Sequence, residues 1–167
     1  MKKSLSLFLL LPFLLQFTAC RYSLRGISIP ENVNTFYVAD FDNVADNVVA
    51  TLSQDFTQLL RDKIRNESRL NPDDTNPDIE FKGQIVDFSV SSVAPQPGET
   101  SAFNRLEIRI AVEFISNKDE EENWKQNFSF FNDFPSDQDI LDVQEDLIEN
   151  INAQLVEDIF NRAFTNW

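Results

Sequence analysis

Apolar residues in this chain follow two periods, and the switches between them divide it into elements. Phe36-Tyr37-Val38-Ala39-Asp40-Phe41 is a short aromatic and β-branched run, which predicts a first strand. Val49, Leu52, Phe56, Leu59, Leu60 and Ile64 then recur at intervals of 3, 4, 3, 1 and 4, one face of a helix, with Asp46 or Asn47 as candidate caps. "LNPDDTNPD" at 70–78 reads as a loop because it holds two Asx-Pro pairs. Ile79, Phe81, Gly83 and Ile85 alternate in one phase, and Val86, Phe88 and Val90 in the opposite one. A slip of phase inside one strand is what a β-bulge produces.

"APQPG" at 94–98 marks a longer hairpin loop. The clearest strand follows it. Leu106, Ile108, Ile110, Val112 and Phe114 alternate with Arg105, Glu107, Arg109, Ala111 and Glu113, giving one apolar and one mostly charged face. "NKDEEEN" at 117–123 turns the chain, and Trp124, Gln126, Phe128 and Phe130 alternate with Lys125, Asn127 and Ser129. The carboxyl end predicts a long helix whose apolar face runs Ile140, Leu147, Ile151, Leu155, Ile159 and Ala163, with Ser136 as its cap. The order is β-α-β-β-β-α. One face of the sheet is charged, so both helices belong on the other. The expected architecture is α+β: two helices packed on one face of a mixed four-stranded sheet.

The first residues are of another kind. Lys2 and Lys3 precede an apolar stretch, Leu5 to Phe17, too short to span a bilayer as a helix, and Phe17-Thr18-Ala19-Cys20 ends it. This resembles a bacterial lipoprotein signal, in which the cysteine becomes the acylated amino terminus. Several acyl chains anchor stably, at about 0.8 kcal/mol per buried CH₂. The expected organisation is a signal peptide at 1–19, a lipid-anchored tether at 20–35 and a single domain at 36–167. No acid stands at position 21, so a lipoprotein with this start goes to the outer membrane and faces the periplasm.

Composition narrows the chemistry. The formal net charge is −14; losing residues 1–19, which hold two lysines and no acid, leaves 12 basic and 28 acidic residues, or −16. Such a chain is no nucleic-acid binder. With no histidine and one cysteine, it lacks parts required for a zinc site, a Cys–His pair or a Ser–His–Asp triad. Only three glycines occur, too few for a phosphate loop. No cofactor and no metal is expected. Asp73, Asp74 and Asp78 do not fit the spacing of a calcium loop. Arg61, Lys63, Arg65 and Arg69 cluster at the end of the first helix, either complementing its dipole or meeting an anionic partner.

The stretches "YSLRGISIPENVNTFYVADFDN", "TLSQDFTQLLRDKI", "FKGQIVDFSVSSVAP", "NRLEIRIAVEFISNKDEEENW" and "DLIENINAQLVEDIFNRAFTNW" together resemble the LptE family of lipopolysaccharide-assembly lipoproteins. The resemblance implies two helices on a four-stranded sheet. It also implies a role as plug inside the β-barrel partner LptD, aid to that barrel's assembly, and contact with lipopolysaccharide. The acidic charge departs from what an anionic lipid favours. Candidate contact residues are the few bases on the charged strand face: Arg105 and Arg109, with Lys82 and Lys125 as cross-strand neighbours. Their other reading is pairing with Glu80, Glu107 and Glu113. Two further functions stay open: a free-standing periplasmic lipoprotein that binds a hydrophobic ligand through its phenylalanines, with Phe131 and Phe134 the most exposed, and a carboxylate-based hydrolase.

Replacing Cys20 with Ala is expected to abolish lipidation and leave a soluble or retained precursor. Fractionation of membrane vesicles checks this; a variant that sediments with outer membrane as fully as wild type would show that the anchor lies elsewhere.

Overall fold

The computed structural model describes residues 26–47, 49–94 and 102–165. Six strands, β1 (Thr35–Val38), β2 (Asp42–Asn43), β3 (Asn71–Pro72), β4 (Ile79–Val93), β5 (Phe103–Ser116) and β6 (Trp124–Pro135), form one mixed sheet. Its order is β3-β1-β4-β5-β6, with β2 pairing further along β4. Pairs of β1 with β3 and β4, and of β2 with β4, are parallel; β4, β5 and β6 form an antiparallel meander. Helices α1 (Leu52–Glu67) and α2 (Ile140–Phe164) close the second layer. The fold is the expected two-layer α+β arrangement.

The sheet has two more strands than the four expected, each two residues long. β3 is the sheet edge: Asn71 and Asp73 donate to Asn34 and Phe36 of the β1 side, and Pro72 between them, on the outward side, presents no free N–H. β2 is separated from β1 because the chain between them turns Phe41 inward. There Phe41 lies over Gly83, where any Cβ would collide with its ring and with the Ala111 carbonyl oxygen. Phe41 also meets Phe56 of α1 edge-on, ring centroids 5.1 Å apart, so the glycine gap in the sheet seats the ring that locks the helix down.

The bulge read from the phase slip is present. Ile85 pairs with Ile110 and Asp87 with Arg109, leaving Val86 as the extra residue. Ile79, Phe81 and Ile85 before it and Phe88 after it are all buried on one face, beside Leu106, Ile108, Ile110 and Val112 of β5. Leu52, Phe56, Leu60 and Ile64 of α1, and Ile151, Leu155, Ile159 and Phe160 of α2, complete that core.

The helix starts differ from expectation. α1 begins after Thr51, which makes no side-chain cap. Asp46 and Asn47 precede it in a bend, where the Asn47 amide donates to the Phe88 carbonyl instead. α2 is capped by Asp139, whose carboxylate accepts the Leu141 N–H; Ser136 sits in the turn before it and donates its backbone N–H to Ala102. Phe134 is not exposed. Its register partner is Asn104, which places it on the core face, 3% accessible.

The amino-terminal segment is strapped to this body before β1 begins. Ser28 N–H donates to the Phe164 carbonyl at 2.7 Å, Arg69 donates to the Pro30 carbonyl at 2.6 Å, and Val33 is buried. At the start of β1 a single carboxylate joins three elements. Asp78 accepts the backbone N–H groups of Asn34 and Thr35, at 2.7 and 3.1 Å, and pairs with Lys118 from the β5–β6 turn at 2.8 Å. The hydrogen bond from Lys118, helped by the Asn34 N–H, holds its pKa down to about 2 against burial.

A carboxylate with a lowered folded-state pKa stabilises above its unfolded value and loses that contribution as pH falls through the folded one. Asp78→Asn is therefore expected to lower stability at neutral pH by about 1–3 kcal/mol. It should also remove the part of the acid-induced loss that the wild type shows between pH 4 and 2. Denaturant melts at stepped pH measure both; parallel curves for the two proteins over that window would contradict the role given to Asp78.

Candidate functional site

The face of β4, β5 and β6 turned away from the helices carries the side chains singled out as contact candidates. Alternation puts Arg105, Glu107, Arg109, Ala111 and Glu113 there from β5, with Lys82 and Lys125 from its neighbours. Lys82 and Lys125 both sit opposite Glu113, one on each side. Arg105 lies between Ser91 and Asp133, and Arg109 between Asp87 and Ser129. The four bases thus share one face but form two groups, arginines toward one end and lysines toward the other.

Each of the four is paired with an acid. Arg105 reaches Asp133 through two hydrogen bonds, at 2.7 and 2.9 Å, a bidentate fork. Arg109 meets Glu107 at 3.0 Å, Lys82 meets Glu80 at 2.6 Å and Lys125 meets Glu113 at 3.0 Å. These pairings shift the acids: the Arg105 fork holds the Asp133 carboxyl below its usual range, and Lys82 does the same to Glu80. The guanidinium of Arg105 also stacks 3.5 Å above the ring of Phe131, which is 43% accessible and opposite Glu107. The result is a polar surface whose four bases are all paired, with one aromatic platform. A shallow groove of about 600 Å³ runs across its lysine end, lined by Asp40, Asp42, Lys82, Gln84, Glu113 and Lys125 among others.

The basic cluster of α1 is dispersed by the fold. Arg61 donates to the Val38 carbonyl and to Asp40, Lys63 pairs with Glu67 and Glu157, Arg65 with Asp62, and Arg69 bonds Asn34 and Pro30. These side chains stitch α1 to β1, to α2 and to the amino-terminal strap. In the 70–78 loop, Asp73 accepts the N–H groups of Thr75 and Asn76, a turn-forming role. Among the described residues no group of three or more Cys, Asp or Glu side chains is arranged to hold a metal, and no helix is long and apolar enough to cross a membrane. Cys20 lies outside the described residues.

A family model described as LptE, lipopolysaccharide-assembly, matches residues 33–163. No curated protein is matched. Among solved structures, a minor lipoprotein from Acinetobacter baumannii shares 6% identity with a TM-score of 0.51, over 77% of this chain and 91% of that one. A putative neuraminyllactose-binding hemagglutinin homolog from Helicobacter pylori shares 8% identity with a TM-score of 0.52, over 84% and 88%. At such identities these two report the fold alone.

Arg105 and Arg109 stand at the surface, so replacing both with Gln is expected to move the melting temperature by no more than about 4 °C. Ile110→Asp, one position away and fully buried, is expected to unfold the domain, because an unpaired carboxylate in a core costs several kcal/mol. Thermal melts of the two variants compare them directly; equal melting temperatures would mean the faces of β5 are assigned backwards.

Proposed function

Because the chain belongs to the LptE family of lipopolysaccharide-assembly lipoproteins, we propose that it is a non-enzymatic plug for an LptD-like outer-membrane barrel. In this reading Cys20 carries the lipid anchor on the periplasmic side of the outer membrane. The body helps the barrel assemble and serves lipopolysaccharide insertion into the outer leaflet. The observation that carries the reading is the family match, which spans the whole sheet and all but the last turn's end of α2. The outer face of β4–β6 supports it physically. Barrel interiors are polar, and a surface whose four bases are already paired can lie against such a wall without leaving a buried cation uncompensated.

Lipopolysaccharide takes second place in this scheme. An anionic headgroup reaching Arg105, Arg109, Lys82 or Lys125 has to displace Asp133, Glu107, Glu80 or Glu113, against a chain whose net charge is −14. The barrel is therefore the principal contact. The phenylalanines favour no ligand pocket either: Phe36, Phe41, Phe56, Phe81 and Phe114 are core residues.

Affinity capture of the full-length chain from detergent-solubilised outer membranes is expected to bring down one large β-barrel at a fixed ratio. Depletion of the chain should lower the amount of correctly assembled barrel, read by its heat-modifiable mobility. A chain captured alone, with barrel assembly unchanged by its depletion, would replace this reading with a free-standing lipoprotein.

A further inference from the structure

Between Lys125 and Arg162 the chain has nine acidic residues and no basic one. The fold collects much of that charge at one end. Phe103 at the start of β5 pairs with both Val93 and Pro135, and α2 begins five residues after Pro135. This tip is where the apolar cover of the core gives out. The bend before α1 lies against the middle of β4, where the Asn47 amide donates to Phe88 and the Val44 N–H to Ile85.

The two halves of α2 have similar apolar content but different burial. From Ile151 onward it buries Ile151, Leu155, Val156, Ile159, Phe160 and Phe164. Before Ile151 nothing is fully buried: Ile140, Val143, Leu147 and Ile148 are half-covered, and Leu141 is 72% accessible. Val90 of β4, three residues from the tip, is also exposed (45%). Around them Asp142, Glu145, Asp146 and Glu149 are exposed, and none takes part in an ion pair among the described residues. Here an apolar strip is framed by unanswered negative charge, the pattern of an interface centre with a charged rim.

We propose that the first half of α2, with Val90, docks on a protein surface of the opposite make-up: an apolar patch ringed by lysine and arginine. The proposal rests on the barrel reading and locates it, assigning this tip, not the outer sheet face, as the contact that orients the chain in its partner. Anionic lipid is repelled from this end. A cationic rim on the partner would be steered to it over the Debye length of about 8 Å at physiological salt.

The test compares three variants of the full-length lipidated chain. In one, Asp142→Asn, Glu145→Gln, Asp146→Asn and Glu149→Gln are combined. The second is Leu141→Ser. The third, at the opposite end of the meander, combines Glu120→Gln, Glu121→Gln and Glu122→Gln. Each is titrated against the purified barrel over a range of sodium chloride, with a thermal melt to verify folding. The four-fold variant is expected to bind about tenfold more weakly than wild type at low salt and to lose most of its salt dependence. Leu141→Ser should weaken binding at all salt concentrations, and the Glu120–Glu122 variant should match wild type. Leu141→Ser decides the matter alone if the four-fold variant proves unstable. Wild-type affinity in the four-fold and Leu141 variants overturns the proposal and leaves the barrel reading standing. Equal weakening at both ends also overturns it, since net charge alone would then be responsible. A wild-type chain that binds no barrel ends both.

Discussion

One extra residue, Val86, lets the longest strand keep a single core. β4 runs for fifteen residues, and its sequence changes phase partway along. Side chains alternate with a strict period of two, so without the extra residue Phe88 and everything beyond it would face the wrong side. With Val86 set aside, Ile79, Phe81, Ile85 and Phe88 share one face, and β5 can present Leu106 to Phe114 to the same core without interruption. The rest follows from that continuity. Both helices have one apolar surface to cover, the outer face is left to charges, and the gap at Gly83 falls where Phe41 can fill it.

The same division gives the charges two different environments. On the outer sheet face every candidate base finds an acid, Arg105 and Lys125 across strands and Lys82 and Arg109 two residues along their own. The first half of α2 carries no base, and Asp142, Glu145, Asp146 and Glu149 there make no ion pair among the described residues. A chain of net charge −14 is therefore not uniformly repellent. It has one face whose bases are all paired and one half-helix whose acids are not, and a polar lumen and a cationic docking surface would engage different parts of it.

How much of this could be read from the residues depends on the range of the interaction. The periods of β5 and of both helices, and the slip in β4, are local patterns and were legible. Caps were less so: Asp139 and Ser136 are equally good candidates by composition, and only the path of the turn makes Asp139 the cap. Phe134 looked exposed because its neighbours Phe130 and Phe131 obscure the parity, which its pairing with Asn104 fixes. β2 and β3 have no period at two residues each. Asp78 reads as one more loop acid, since its partners Asn34 and Thr35 lie more than forty residues upstream. The candidate bases were correctly grouped on one face, but their individual acid partners depend on register and rotamer.

The strap that runs from Ser28 to the start of β1 has a mechanical consequence. Its attachments, Ser28 to Phe164, Pro30 to Arg69, and Asn34 to Asp78, lie one after another along the chain. A pull from the amino-terminal side loads them in series, so they release one at a time, each at the force of a single contact. None of them belongs to the β4–β6 meander. Peeling the seven residues from Ser28 to Asn34 would lengthen the free amino-terminal segment by about 24 Å at full extension, while the sheet that carries both faces stays intact. The body can then change its distance from a fixed attachment point without unfolding, and re-seat by the same contacts when the tension falls.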